Sequence, residues 1–222
     1  LAAVGTDPES LTAILITHEH SDHIAGLQTI AKKLDIPIYL SRLTAPAIPW
    51  PEEYMPKLEM FAAGASFPIG DIDVTSFTIP HDAADPVGFS FRAEGIKISI
   101  ATDLGYMPDS VRFHVRDSDV LLLESNHDLE MLKVGPYPWS IKQRIMGRMG
   151  HLSNDVACSF IREDLDSRTS TLILGHLSAQ NNHPEIVRLM AAQALDGRSL
   201  FTNLVIAEPK RPLDQPAEIF TY

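Results

Sequence analysis

The stretch ILITHEHSDHIAGL, residues 14–27, decides how the rest of the chain is read. Its first four residues are apolar or β-branched and read as buried strand. His18, His20, Asp22 and His23 then follow within six positions, where the chain must turn into a helix beginning near His23. His18 and His20 are two apart in extended chain, so their side chains point to one side. Neutral imidazole and carboxylate are donors that zinc and related divalent ions prefer. Two histidines at this spacing are ordinary in a solvated loop. Three, with an aspartate behind a buried strand, read as a ligand set.

The 222 residues suit one α/β or sandwich-type domain, and 45% hydrophobic with 21% charged residues allows an ordinary globular core. No apolar run reaches the roughly 18 residues that span a membrane, and the start lacks a charged-then-apolar signal segment. The single cysteine, Cys158, excludes an internal disulfide framework and a thiolate-rich zinc knuckle. It fits a reducing, cytoplasmic setting. The net charge of −11 argues against a broad basic face for nucleic acid. A pair of divalent ions would change that field locally. The oligomeric state is left open.

Strand-like runs fall at 13–17, 37–40, 73–79, 87–93, 97–102, 119–125, 170–175 and 203–208, each β-branched or alternating and bounded by Gly, Pro, Asp or Asn. Helix-like runs fall at 23–34, 108–115, 138–147, 153–165 and 184–195, with Ser153 an N-cap and Pro184 in a first helical turn. The hairpin-rich middle and alternating flanks predict a single domain over 1–222, with two sheets face to face and helices outside. The proline-rich segment from Leu43 to Phe67 reads as irregular surface or a lid.

Three later strand ends carry matching groups: His81 after SFTIP, Asp103 after ISIAT and His176 after LILG. Singly, these read as a surface histidine, a turn cap and a satisfied core histidine. Together with the first cluster they supply enough donors for two metals, with Asp103 as a shared bridge. Two metals about 3.5–4 Å apart can hold a hydroxide and clamp both oxygens of a displacement.

His18-x-His20-x-Asp22-His23, followed in order by His81, Asp103 and His176, resembles the metallo-β-lactamase superfamily over nearly the whole chain from Ala13. The resemblance implies an αββα four-layer sandwich with the site along one edge. It implies that His18, His20 and His81 hold one metal, that Asp22, His23 and His176 hold the other, and that Asp103 bridges. Zinc suits this donor set, and manganese or iron also fit. The superfamily opens with strands, a Gly/Ser-rich turn and a supporting Asp. This chain starts at LAAVGTDPES, beside the metal strand, so those leading strands fall outside the 222 residues: either the sequence is truncated or the copy is divergent.

LLLESNHDLEML (121–132), GPYPWSIKQRI (135–145), GHLSND (150–155) and LGHLS (174–178) resemble the bacterial WalJ/YycJ-like subgroup, associated with exonuclease action on DNA. The order is also similar to the tRNA 3′-processing endonucleases of the superfamily. There a histidine protonates the leaving oxygen and a glutamate orients it; the matching pair here is His151 and Glu124. A departing 3′ oxygen needs a proton near neutral pH, which histidine beside a carboxylate can give. Asp22, Glu124 and His151 are thus the candidate catalytic residues of a dimetal phosphodiesterase acting on nucleic acid, with DNA the expected substrate. Lys142, Arg144 and Arg148 form a modest basic patch for phosphates, with Tyr137 and Trp139 beside it able to stack on bases, and His127 reads as a surface turn histidine or a substrate contact. The rival readings are a small-molecule hydrolase on the same fold and a catalytically silent copy.

Overall fold

The computed structural model describes residues 5–53, 55–196, 198 and 201–209. The chain divides into two compact units: residues up to 78 together with 82–89, and residues 79–81 with everything from 90 on.

In the first unit, β1 (Ile14–Leu15) pairs in parallel with β2 (Ile38–Ser41), and β2 with β3 (Leu58–Phe61). The opening strand is shorter than its apolar run, and the next residue, Ile16, still donates its N–H to the Tyr39 carbonyl. Helices α1 (Ser21–Ile24) and α2 (Leu27–Leu34) follow, where the pattern predicts one continuous helix. Leu27 and Ala31, four apart, put one face of α2 into a core with Ile16, Ile38, Leu40, Ala45 and Ile48. The left-handed Asp35 (φ 50°) closes α2 by donating its N–H to the Ala31 carbonyl.

The segment from Leu43 to Phe67 is not the irregular surface that its prolines suggest. It holds α3 (Thr44–Ala47), β3 and the start of β4 (Ser66–Ile69). Ile48 and Phe61 are buried, and the Trp50 indole packs on the core while donating to the Ala45 carbonyl. Tyr54 lies outside the described residues. A tight reversal at Gly70 (φ 61°) joins β4 to the antiparallel β5 (Ile72–Thr78).

β6 (Val87–Ala93) begins in the first unit and ends in the second. Glu94 and Gly95, both at positive φ, turn the chain into β7 (Ile96–Ala101). The second unit then alternates helix and strand. α4 (Asp109–Val115) leads to β8 (Val120–Glu124). α5 (Leu129–Val134), α6 (Trp139–Ile145) and α7 (Asn154–Glu163) lead to β9 (Thr171–Gly175), and α8 (Pro184–Asp196) to β10 (Asn203–Ile206). β7, β8, β9 and β10 are neighbours in that order and run parallel. VLLLE and TLILG are almost continuously apolar, as strands buried on both faces require. Ala157, Cys158, Phe160 and Ile161 of α7 and Val187, Ala191 and Ala194 of α8 are buried at helical spacing, and the two helices pack together. Each fully buried Leu or Ile in this core contributes roughly 1.5–3 kcal/mol. Ser153 caps α7 by accepting from Val156 N–H, as its sequence predicts. Among the described residues no helix is long and apolar enough to cross a membrane.

Candidate functional site

Parallel neighbours end at one edge, so residues leaving β7, β8 and β9 collect there. Asp103 stands two residues past β7, Glu124 is the last residue of β8, and His176 follows β9 directly. The register sets Glu124 opposite Gly175, one residue before His176. Asp103 (φ 61°) and His176 (φ 56°) both take the left-handed backbone conformation, which costs a side-chain-bearing residue on the order of 1 kcal/mol. Such strain persists where the surroundings over-determine it, and it clusters at functional sites. The Asn126 side-chain amide donates to the His176 carbonyl at 2.9 Å and helps to hold that turn.

Glu124 is wholly buried and its carboxylate is saturated. Oε2 accepts the backbone N–H groups of Leu104 and Leu152, each at 3.0 Å. Oε1 accepts from His151 Nδ1 at 2.9 Å and from His176 Nδ1 at 2.7 Å. Burial alone would raise the Glu124 carboxyl, but the two imidazole hydrogen bonds outweigh it and hold the group below the usual carboxylate value. Burial likewise pulls His151 down, and the Glu124 hydrogen bond and charge outweigh it, so His151 is raised. The sequence points to the Glu124–His151 pair. It does not show that the same oxygen also holds His176.

The tautomers follow from these partners. A carboxylate or carbonyl oxygen only accepts, so each Nδ1 that faces one carries the proton. His81 Nδ1 donates to the Gly150 carbonyl at 3.0 Å, and His176 Nδ1 donates to Glu124. In the neutral rings the lone pair therefore sits on Nε2. Those two nitrogens face one oxygen: Asp103 Oδ1 is 3.4 Å from His176 Nε2 and 3.9 Å from His81 Nε2. Lone pairs turned toward a buried carboxylate repel unless a proton or a cation lies between them. Asp103, Glu124, His151 and His176 each place one nitrogen or carboxylate oxygen within 4.8 Å of the others. The donor chemistry of this edge fits a divalent ion, with oxygens holding the imidazoles from behind as metal-binding histidines require.

The opening motif has its own supports in the first unit. Thr17 Oγ1 lies 3.1 Å from Nδ1 of both His18 and His23, so one hydroxyl fixes two rings. The His18 ring centroid is 4.6 Å from that of His20 and 4.1 Å from that of His23. Asp22 Oδ2 is 3.6 Å from His23 Nε2. His20 Nε2 donates to the Asp82 carbonyl at 3.2 Å, which leaves the lone pair of the neutral ring on Nδ1. Glu19 Oε1 accepts from Ala84 N–H at 2.8 Å and ties the motif loop to the residues after His81. Thr17 and Glu19 escape a reading of the sequence because neither is an unusual residue in a turn. Their adjacency to the histidines is the available signal.

The expected substrate-binding residues differ in burial. Lys142 is buried in α6 with its ammonium donating to the Lys133 carbonyl at 2.7 Å, so it closes α5 and does not face solvent. Arg144 and Arg148 are exposed, and so is Trp139, with Tyr137 partly buried. His127, read as a surface turn histidine or a substrate contact, is 1% exposed, and burial pushes its pKa down to about 4.

Comparison with known proteins agrees with this geometry. The family described as "Beta-lactamase superfamily domain" matches residues 2–176. The chain is 38% identical over 193 residues to exodeoxyribonuclease YycJ of Bacillus anthracis, covering 84% of this chain and 71% of that protein. It is also 38% identical over 200 residues to exodeoxyribonuclease WalJ of Streptococcus pneumoniae, covering 88% and 74%. Among solved structures, the metallo-β-lactamase fold protein YhfI from Bacillus subtilis superposes with a TM-score of 0.65 at 18% identity, covering 90% of this chain and 77% of that one. The short form of human tRNase Z gives 0.59 at 20% identity, covering 94% and 80%. The mixed α/β fold is therefore of the metallo-β-lactamase type, and the chain belongs to the β-lactamase superfamily, in company with the YycJ and WalJ proteins.

Proposed function

We propose that this protein is a dimetal phosphodiesterase that removes nucleotides from the end of a DNA strand, with Glu124 and His151 supplying the proton for the leaving group. The observation that carries the reading is the 2.9 Å hydrogen bond from His151 Nδ1 to the buried Glu124 Oε1. A hydrolase of esters with acidic leaving groups has little use for an oriented proton donor. A phosphodiester with a poor 3′-alkoxide leaving group needs one. The similarity to two exodeoxyribonucleases over most of the chain supports the same choice.

In this reading His18, His20 and His81 would hold one divalent ion, Asp22, His23 and His176 the other, and Asp103 both, an assignment taken from the order of the family motif. Bound ions would supply Lewis-acid stabilisation of the phosphoryl oxygens and an activated water. Zinc is the first choice for a set of imidazoles and carboxylates. The chain's own groups do the rest. Glu124 keeps His151 and His176 in one tautomer and orientation. His151 presents Nε2–H to the departing oxygen. Arg144 and Arg148, rather than the buried Lys142, would meet phosphates. His127 would act by shaping the loop before α5, not by touching the strand. The single-domain organisation belongs to this proposal too, because the family match runs through residues of both units. So does a cytoplasmic location.

The test is His151→Ala on two substrates. On end-labelled DNA the variant should keep its metals but cleave about 10²–10⁴-fold more slowly, the usual worth of general acid catalysis. On a phosphodiester with a p-nitrophenolate leaving group, which hardly needs a proton, the loss should nearly vanish. Equal losses on both substrates would show that His151 positions the site and donates nothing.

A further inference from the structure

Two short loops run side by side in the second unit: residues 103–107 after β7, and 147–151 before α7. Their contact starts at the site, where Asp103 Oδ1 and His151 Nδ1 are 3.8 Å apart. It continues through the backbone. A Cβ placed on Gly105 would lie 2.4 Å from the Arg148 carbonyl carbon and oxygen, so only glycine allows this approach. Gly105 N–H also donates to the Pro80 carbonyl at 3.0 Å, which fixes the first loop. At the outer end the Arg148 guanidinium carbon sits 4.2 Å from the centroid of the Tyr106 ring.

In a chain of net charge −11, an arginine held by a ring is notable. Among the described residues Arg148 pairs with no carboxylate, although acidic groups outnumber basic ones. Arg148 is exposed and its guanidinium lies over the ring, so its N–H groups can reach outward. A guanidinium plane backed by an aromatic ring is a stacking surface for an unpaired base, and its N–H groups reach phosphate. Tyr106 is three residues from Asp103 and Arg148 three from His151, and three residues span at most about 10 Å. The pair therefore lies within reach of the nucleotide that flanks the scissile phosphate.

We propose that Tyr106 and Arg148 together form a stacking site for one base of single-stranded DNA, next to the bond that is cut. This rests on the phosphodiesterase reading and adds to its phosphate contacts a grip on one base. Stacking tolerates any base, which suits an enzyme that must pass along a strand of arbitrary sequence.

The experiment measures binding of a fluorescent, phosphorothioate-linked single strand to the metal-loaded protein by anisotropy. Wild type, Tyr106→Leu, Tyr106→Phe and Arg148→Gln are compared on the intact strand and on strands with one abasic site moved along from the end. Tyr106→Leu and Arg148→Gln should each weaken binding to the intact strand by about 5- to 140-fold, the range for one stacked base. One abasic position should cost wild type a similar factor and cost these two variants nothing further. Tyr106→Phe should keep the wild-type pattern. Additive losses at every position, or unchanged binding in Tyr106→Leu, would overturn the proposal, because a merely structural role is blind to the missing base. Should wild type show the abasic signature yet leave unmodified DNA intact, the phosphodiesterase reading falls and the stacking site stands. Should wild type cleave DNA while the losses are additive, the stacking site falls and the phosphodiesterase reading stands. Failure of wild type to bind the strand removes both.

Discussion

Replacing Glu124 with glutamine keeps the shape of the side chain and tests what its charge does. The carboxylate takes four hydrogen bonds, two from backbone N–H groups and two from imidazoles. An amide has one oxygen to place. The Leu104 and Leu152 N–H groups can only donate, so the amide oxygen must stay on their side. The NH₂ then faces His151 and His176, and both rings must accept on Nδ1. That moves the remaining proton of His176 onto Nε2, the nitrogen 3.4 Å from Asp103 Oδ1, and removes the lone pair an ion would use. Loss of such a partner commonly weakens metal binding by about 10–100-fold, or about 1.4–2.8 kcal/mol. His151 also loses the carboxylate that raises it, so the variant should be slow even when saturated with metal. The assay is zinc titration against a competing chelator, with the imidazole tautomers of the apo-protein read by ¹⁵N NMR. Wild-type affinity together with Nδ1–H retained on His176 would refute the reasoning, because it would mean that the carboxylate does not select the tautomer.

Asp103→Asn should lower bound metal from two ions toward one or none by elemental analysis and sharply reduce the rate; equal metal and activity would make Asp103 a turn residue only. His127 offers a pH test at a residue outside the proposed ligand set: its folded pKa of about 4, pushed down by burial, lies below the roughly 6.5 of an unfolded histidine, so its neutral form favours the fold above pH 6.5 and that advantage is lost as pH falls toward 4. Urea unfolding at pH 7 and pH 4 should show wild type losing about 3 kcal/mol more than His127→Leu, and equal losses would mean that the ring is solvated when charged.

The elements legible in the sequence are those with local signatures. Val87–Ala93 and the cap at Ser153 emerge as read, because alternation and capping are short-range. β3 escapes because its outer residues Glu59 and Met60 are exposed at the side of a three-stranded sheet, so no alternation marks it. Its strand character comes from pairing with β2, far along the chain. α5 escapes because six residues are too few for a periodic pattern, and its Asp128 cap reads equally well as a turn. Lys142 misleads for a related reason: its helix is legible, but the Lys133 carbonyl that captures its ammonium belongs to another helix.

The shared role of Glu124 is hidden in the same way, and it matters most for the chemistry. Sequence order suggests a pair, a carboxylate with the next histidine that could be a proton donor. Only the parallel register of β8 with β9 sets Glu124 against Gly175 and brings His176 to the same oxygen. One buried carboxylate then orients both the proposed proton donor and a proposed metal ligand, so the two functions cannot vary independently. A substitution at Glu124 should show in metal binding and in proton transfer together, whereas one at His151 should show in proton transfer alone. Comparing the two variants therefore separates the work of the pair from that of the shared anchor.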